Sequence, residues 1–232
     1  MISYPLIVPR CASLADGTPA QYIPQLAQAD PGRWGLACCS IDGQRLALGD
    51  SGAMFTVQST SKPFTYALCL EHLDQEVEQF IGQEPSGQVF NSLQLDVSGK
   101  PHNPMINSGA IMSAALLLYK VKPEASLAAK FEMIQNYFSD LSGGSYVGFQ
   151  NSVFLSESET ADRNSALAYF MRENKCFPDA NCDIRTILSF YLQICALEMN
   201  CESMSIMAAT LANGGICPLT RKRVGGLRTV SY

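Results

Sequence analysis

Gln58-Ser59-Thr60-Ser61-Lys62-Pro63 is the stretch on which the fold and the chemistry of this chain turn. Proline is tolerated only in the first turn of a helix, where its missing N–H would have no partner anyway. Pro63 therefore fixes a helix start near Ser59, and the spacing predicts a helix from Ser59 to Leu73. Residues three apart on a helix share a face, so Lys62 Nζ can fold back toward Ser59 Oγ. A serine hydroxyl is a weak nucleophile until a base takes its proton. A lysine desolvated in an apolar pocket has its pKa lowered enough to be that base. A serine at a helix N-terminus also sits beside unpaired N–H groups and a positive dipole end, and both favour a developing oxyanion. S-x-x-K is short and common, so the motif alone leaves a plainer alternative open: Ser61 caps the helix and Lys62 lies on a solvated face.

Upstream, Trp34–Ser40 and Gln44–Leu48 read as strands joined by a tight turn at Asp42-Gly43. Met54–Val57 is a third extended candidate, and Tyr22–Ala29 a short helical segment. Downstream, Gly82–Pro104 is a long polar stretch rich in Gly, Pro, Ser and Asn. Loops of that length inside compact domains are usually functional. Helices are predicted over Ile106–Tyr119, Glu124–Phe138, Arg163–Asn174, Ile184–Met199 and Glu202–Asn213, with Asp162 as an N-cap and Gly214-Gly215 as a stop. A little β followed by much α is the α+β pattern. A hairpin plus one fragment is too few strands for a stable sheet, and the basic stretch Arg221–Tyr232 has no strand partner.

The chain has 232 residues, enough for one large domain or two small ones. Charged residues make up 16%, which suits an enzyme core or an oligomer face better than a disordered tail. The net charge of −5 argues against a nucleic-acid partner and offers no polybasic membrane anchor. Nine cysteines, none in C-x-x-C spacing and several inside apolar runs, read as free thiols of a reducing compartment, mitochondrial matrix or cytoplasm. Two histidines, His72 and His102, stand at no ligand spacing from a cysteine pair, so no metal is expected, nor any cofactor. No apolar run reaches ~18 residues. Met1–Arg10 has neither signal-peptide nor transit-peptide character.

The Ser59 motif has company. Together with Glu84-Pro85-Ser86-Gly87, Lys100-Pro101-His102-Asn103-Pro104-Met105-Ile106-Asn107, Tyr146-Val147-Gly148-Phe149, Asp162-Arg163-Asn164, Lys175-Cys176-Phe177-Pro178 and Met207–Gly215, it closely resembles the serine-dependent glutaminases, the animal mitochondrial type being nearest in flavour. The resemblance runs from Tyr22 to Val224. It implies a β-lactamase/penicillin-binding-protein-like α+β fold, helix-rich with an antiparallel sheet, and hydrolysis of L-glutamine to L-glutamate and ammonia. Ser59 matches the nucleophile and Lys62 its base. Tyr22, Asn107, Glu157, Asn164 and Tyr191 match residues that, with Ser59, contact glutamine. That set suits the ligand: Glu157 pairs the ammonium, while the amides and phenols donate to the carboxylate. Each has a plainer alternative. Glu157 sits among other acids, Asn107 could cap the following helix, Asn164 could be ordinary first-turn helix chemistry, and Tyr22 and Tyr191 could be core aromatics. His102 reads as structural within its loop. The resemblance also implies a homo-oligomer, a tetramer in the family, and phosphate as an activator acting through the 82–100 loop, expected to be the most mobile part of the middle of the chain.

Nothing after Val224 matches the Lys-Ser-Gly-like strand expected there, the counterpart of K-T-G in S-x-x-K hydrolases. The expectation is therefore a catalytic domain over 1–224 lacking its C-terminal strands, a divergent tail over 225–232, and weak activity or none alone. Two other readings stay open: a β-lactamase or penicillin-recognising hydrolase, and a non-catalytic fragment that assembles with full-length subunits.

Overall fold

The computed structural model describes residues 11–14 and 16–225. Met1–Arg10 and most of the 225–232 tail lie outside them.

Apolar alternation builds the first hairpin. β1 (Gly35–Cys39) and β2 (Arg45–Gly49) pair antiparallel, with Gly35 opposite Gly49 and Cys39 opposite Arg45. Gly49 is held at φ +63, and a Cβ there would lie 2.2 Å from the Trp34 carbonyl oxygen, so the ribbon closes only around glycine. β3 (Phe55–Thr56) belongs to a second antiparallel sheet, with β4 (Gly148–Phe149) and β5 (Leu197–Met199) in the order β3-β5-β4. Two of these strands were not foreseen. Ile184–Met199 reads as one helix, but α6 (Ile184–Cys195) stops at Ala196 and the chain turns into β5. A continuous apolar run does not distinguish a buried helix from a central strand. Here pairing on both sides, to Phe55-Thr56 and Gly148-Phe149, decides for strand.

α1 (Lys62–Leu73) is preceded by a 3-10 turn, Gln58–Ser61, so the regular helix begins three residues later than the motif suggests. α2 (Asn107–Tyr119) is buried from Asn107 through Leu118, the signature of a central helix that has core on every side. Around it pack α1, α3 (Leu127–Leu141), α5 (Asp162–Glu173) and α6. Ile111, Met112, Leu116 and Leu117 meet Phe138, Leu167, Met171 and Phe190 in the core. α3 starts at Leu127 because Ser126 Oγ accepts the Ala129 N–H, a side-chain cap. α4 (Asn151–Glu159) was not anticipated; its polar sequence lacks a clear 3.6-residue apolar stripe. Asp162 is the first residue of α5 and not its N-cap, a place Ala161 takes without a side-chain bond. α7 (Cys201–Ala212) is capped by Asn200 and ends ahead of Gly214 and Gly215, both at positive φ.

The result is a helix-rich α+β arrangement whose antiparallel sheet is left open. Among the described residues no helix is long and apolar enough to cross a membrane, and no His/Cys/Asp/Glu group could hold a metal ion. All nine cysteines are free thiols.

Candidate active site

Ser59 sits in the 3-10 turn that leads into α1. The turn hangs from β5: the Val57 N–H donates to the Leu197 carbonyl at 2.8 Å, and Ser61 Oγ donates to the Gln58 carbonyl at 2.7 Å. Ser61 thus braces the turn and caps nothing. Lys62 Nζ lies 2.5 Å from Ser59 Oγ. Lys62 is 4% exposed, so the solvated-face alternative does not hold. Burial lowers its pKa, opposed by the Cys195 thiol and the Glu157 carboxylate.

Ser59 opens on a cavity of about 320 Å³. Tyr22, Asn107, Glu157, Asn164 and Tyr191 line the same cavity, so all six residues expected at a ligand come together from segments far apart in sequence. Glu157, on α4, is 7% exposed, which removes the solvated-acid alternative. Burial raises its pKa, while the Gln58 amide, 3.3 Å from its Oε2, and the Lys62 charge pull it back down. Asn107 is the first residue of α2 and does not cap it: its Nδ2 donates to Asn164 Oδ1 at 2.9 Å. Its own Oδ1 is buried without a partner. Asn107 lines the cavity, but this oxygen itself has almost no exposed surface. Tyr191 is buried on α6, and burial pushes its phenol well up. The phenol contacts the Cys195 thiol, itself pushed up to about 12. Tyr22 is no core aromatic; it stands 65% exposed at the rim, its pKa raised by partial burial and by Glu157.

The residue list drawn from sequence omits several neighbours. Gln58 holds Glu157 from a backbone at φ +45, a left-handed conformation that no sequence pattern announced. Cys195 lies four residues after Tyr191, a helical spacing that could have flagged it. Phe90, Asn91 and Arg163 complete the wall. His102 stays outside the cavity, its carbonyl accepting the Glu84 N–H at 3.0 Å. A wider cleft of about 570 Å³ adjoins the site and shares Tyr22 and Gln58. An apolar groove of about 540 Å³ runs along Pro63, Tyr66, Leu70 and Met105, with no carboxylate, amine or imidazole in its lining. The candidate nucleophile and the buried Glu157 carboxylate are at the smaller cavity.

Comparison with known proteins points the same way. The Glutaminase family model matches residues 17–231, into the segment after Val224. "Putative glutaminase 2" of Caenorhabditis elegans is 46% identical over 213 residues, covering 91% of this chain and 34% of that protein. "Glutaminase liver isoform, mitochondrial" of Rattus norvegicus is 45% identical over 212 residues, again 91% of this chain and 34% of that protein. A crystal structure described as Mglu in its glutamate form superposes with a TM-score of 0.87 at 35% identity, covering 97% of this chain and 50% of that one. The chain thus spans about a third of the length of these curated relatives and half of the solved chain.

Proposed function

The chain belongs to the glutaminase family, and on that premise we propose that it hydrolyses L-glutamine to L-glutamate and ammonia through an acyl-enzyme on Ser59. The observation that carries the reading is the 2.5 Å contact from Lys62 Nζ to Ser59 Oγ at the mouth of a cavity that also holds a buried carboxylate. A lysine whose burial favours the neutral amine can take the Ser59 proton as the hydroxyl attacks the amide carbonyl. The same proton then passes to the departing ammonia. Water opens the resulting ester, and Lys62 serves again as base.

Glutamine presents an ammonium, a carboxylate and an amide, and the cavity has a partner for each. Glu157 takes the ammonium. The remaining amide N–H groups of Asn107 and Asn164 and the hydroxyls of Tyr22 and Tyr191 donate to the carboxylate. That leaves the amide carbonyl over Ser59. Ionising Glu157 in a buried site is costly, and the incoming ammonium offsets that cost, which favours an amino-acid ligand over a β-lactam.

The proposal extends to the catalytic assignment of residues 1–224, to the animal mitochondrial type, to a reducing compartment and to a homotetramer activated by phosphate. Identity to the nematode and rat proteins above that to the Mglu chain supports the second. The free thiols support the third. The decisive assay is ammonia release from L-glutamine beside nitrocefin hydrolysis. We expect glutamine turnover, weak in this chain alone, that Ser59→Ala abolishes, and no nitrocefin turnover. The reverse substrate preference, or activity that survives Ser59→Ala, would reject the assignment.

A further inference from the structure

The long segment between α1 and α2 has no regular secondary structure between Gly82 and Pro104, yet it supplies one wall of the cavity through Phe90 and Asn91. Phe90 is 60% exposed, so the wall is not held by burial of its largest side chain. It is held by hydrogen bonds. The Asn107 N–H donates to the Phe90 carbonyl at 2.9 Å, and Arg163 Nε donates to the Asn91 carbonyl at 2.9 Å. The two donors are themselves connected, because Asn164, the next residue after Arg163, accepts from Asn107 Nδ2 at 2.9 Å. The bonds close a circuit: Asn107 to Asn164, along one peptide to Arg163, across to Asn91, along one peptide to Phe90, and back to Asn107.

We propose that Arg163 is a positioning residue of this pocket, fixing the Phe90-Asn91 wall to the helix turn that carries Asn164 so that the wall and the two ligand-reading amides form one rigid unit. The role goes beyond the glutaminase reading of the cavity and rests on it only for the kinetic part of the test. A free loop must be ordered when ligand binds, and that entropy comes out of affinity. A wall fixed in advance removes the cost equally from ground state and transition state, so its loss falls on KM and leaves kcat nearly untouched. The guanidinium suits the task because Nε–H points sideways from a planar group, whereas a lysine ammonium at the end of a flexible stem does not fix a direction.

The experiment measures amide hydrogen exchange and glutamine kinetics on the whole 232-residue chain, as wild type, Arg163→Met and Arg163→Lys. For Arg163→Met we expect faster exchange over residues 90–93, unchanged protection in α5, a KM raised roughly three- to tenfold and a kcat within about twofold, the size of one exposed hydrogen bond. Unchanged exchange at 90–93 would overturn the proposal. So would loss of protection throughout α5, which would make Arg163 a mere support of its own helix. If Arg163→Lys restores KM while exchange at 90–93 stays fast, the charge reads the ligand carboxylate directly and the positioning role is wrong. The exchange comparison does not depend on turnover, so it decides whether Arg163 fixes the wall even where the wild-type chain releases no ammonia from glutamine.

Discussion

Lys62 and Glu157 are buried within one site and their pKa values are displaced in opposite senses, which makes pH the sharpest probe at the scale of single residues. Burial depresses Lys62, so its neutral, proton-accepting form is populated at lower pH than for an exposed lysine. kcat should therefore rise with pH through that depressed value and level off before the ordinary lysine range near ~10.4. Burial raises Glu157, and its charged form is the one that pairs an ammonium. KM should therefore climb as pH falls through that raised value, above the usual carboxylate range near ~4.3. In Glu157→Gln the KM limb should vanish at a KM about 10²-fold higher, the cost of an unpaired ammonium. The kcat limb should move to lower pH, because the carboxylate that props up the Lys62 charge is gone. A kcat limb at the value of free lysine, or a KM limb that persists in Glu157→Gln, would contradict these roles. Most of this residue set was legible in the sequence because its motifs are local. Gln58, Arg163 and Asn91 were not, because their parts depend on a left-handed backbone and on hydrogen bonds to a loop with no periodicity of its own.

Among elements, the start of α2 matters most, since it carries Asn107. A Cβ at Gly109 would stand 2.0 Å from the Asn103 carbonyl oxygen and 2.8 Å from Pro104 Cα. The helix packs backbone to backbone against the end of the long loop, and only hydrogen fits between them. Alanine would gain up to about 1 kcal/mol of helix propensity, but the clash is with backbone, which cannot rotate away, and overpacking costs about 1–3 kcal/mol. Gly109→Ala should therefore lower Tm by several degrees, at roughly 2–4 °C per kcal/mol for a chain of this size. It should also depress glutamine turnover by displacing Asn107. A thermal melt and an ammonia assay on the same sample check both, and an unshifted Tm would show that the loop yields freely. The hairpin and most helices were readable from alternation and caps. β5 was not, although the turn bearing Ser59 hangs from it, because a strand of three residues at the end of an apolar helix has no signature of its own.

At the scale of the whole molecule, the cavity draws on Tyr22 ahead of the first hairpin, the turn before α1, and the starts or faces of α2, α4, α5 and α6. The loop that supplies Phe90 to its wall also exposes Val89, Leu93 and Val97, with Phe90 four large apolar side chains within nine residues. Exposed apolar groups gathered in this way mark association surfaces. If the tetramer of the proposal forms through this loop, sedimentation velocity should show a larger species that phosphate promotes, and Phe90→Asp with Leu93→Asp should leave a smaller one. A species unaffected by both changes would place the contacts elsewhere. The sequence by itself determined the α+β class and the family, and it named the candidate nucleophile, base and ligand-contacting residues, because each rests on motifs a few residues long with local geometry. Only the tertiary structure decided that β5 and β4 join β3 in the second sheet, that Asn107 bonds Asn164 and caps nothing, that Gln58 bonds Glu157, and that Arg163 bonds the Asn91 carbonyl in the pocket wall. Those contacts join residues tens of positions apart, and the free energy that selects them comes from packing and from buried polar groups finding partners, which no local pattern of residues contains.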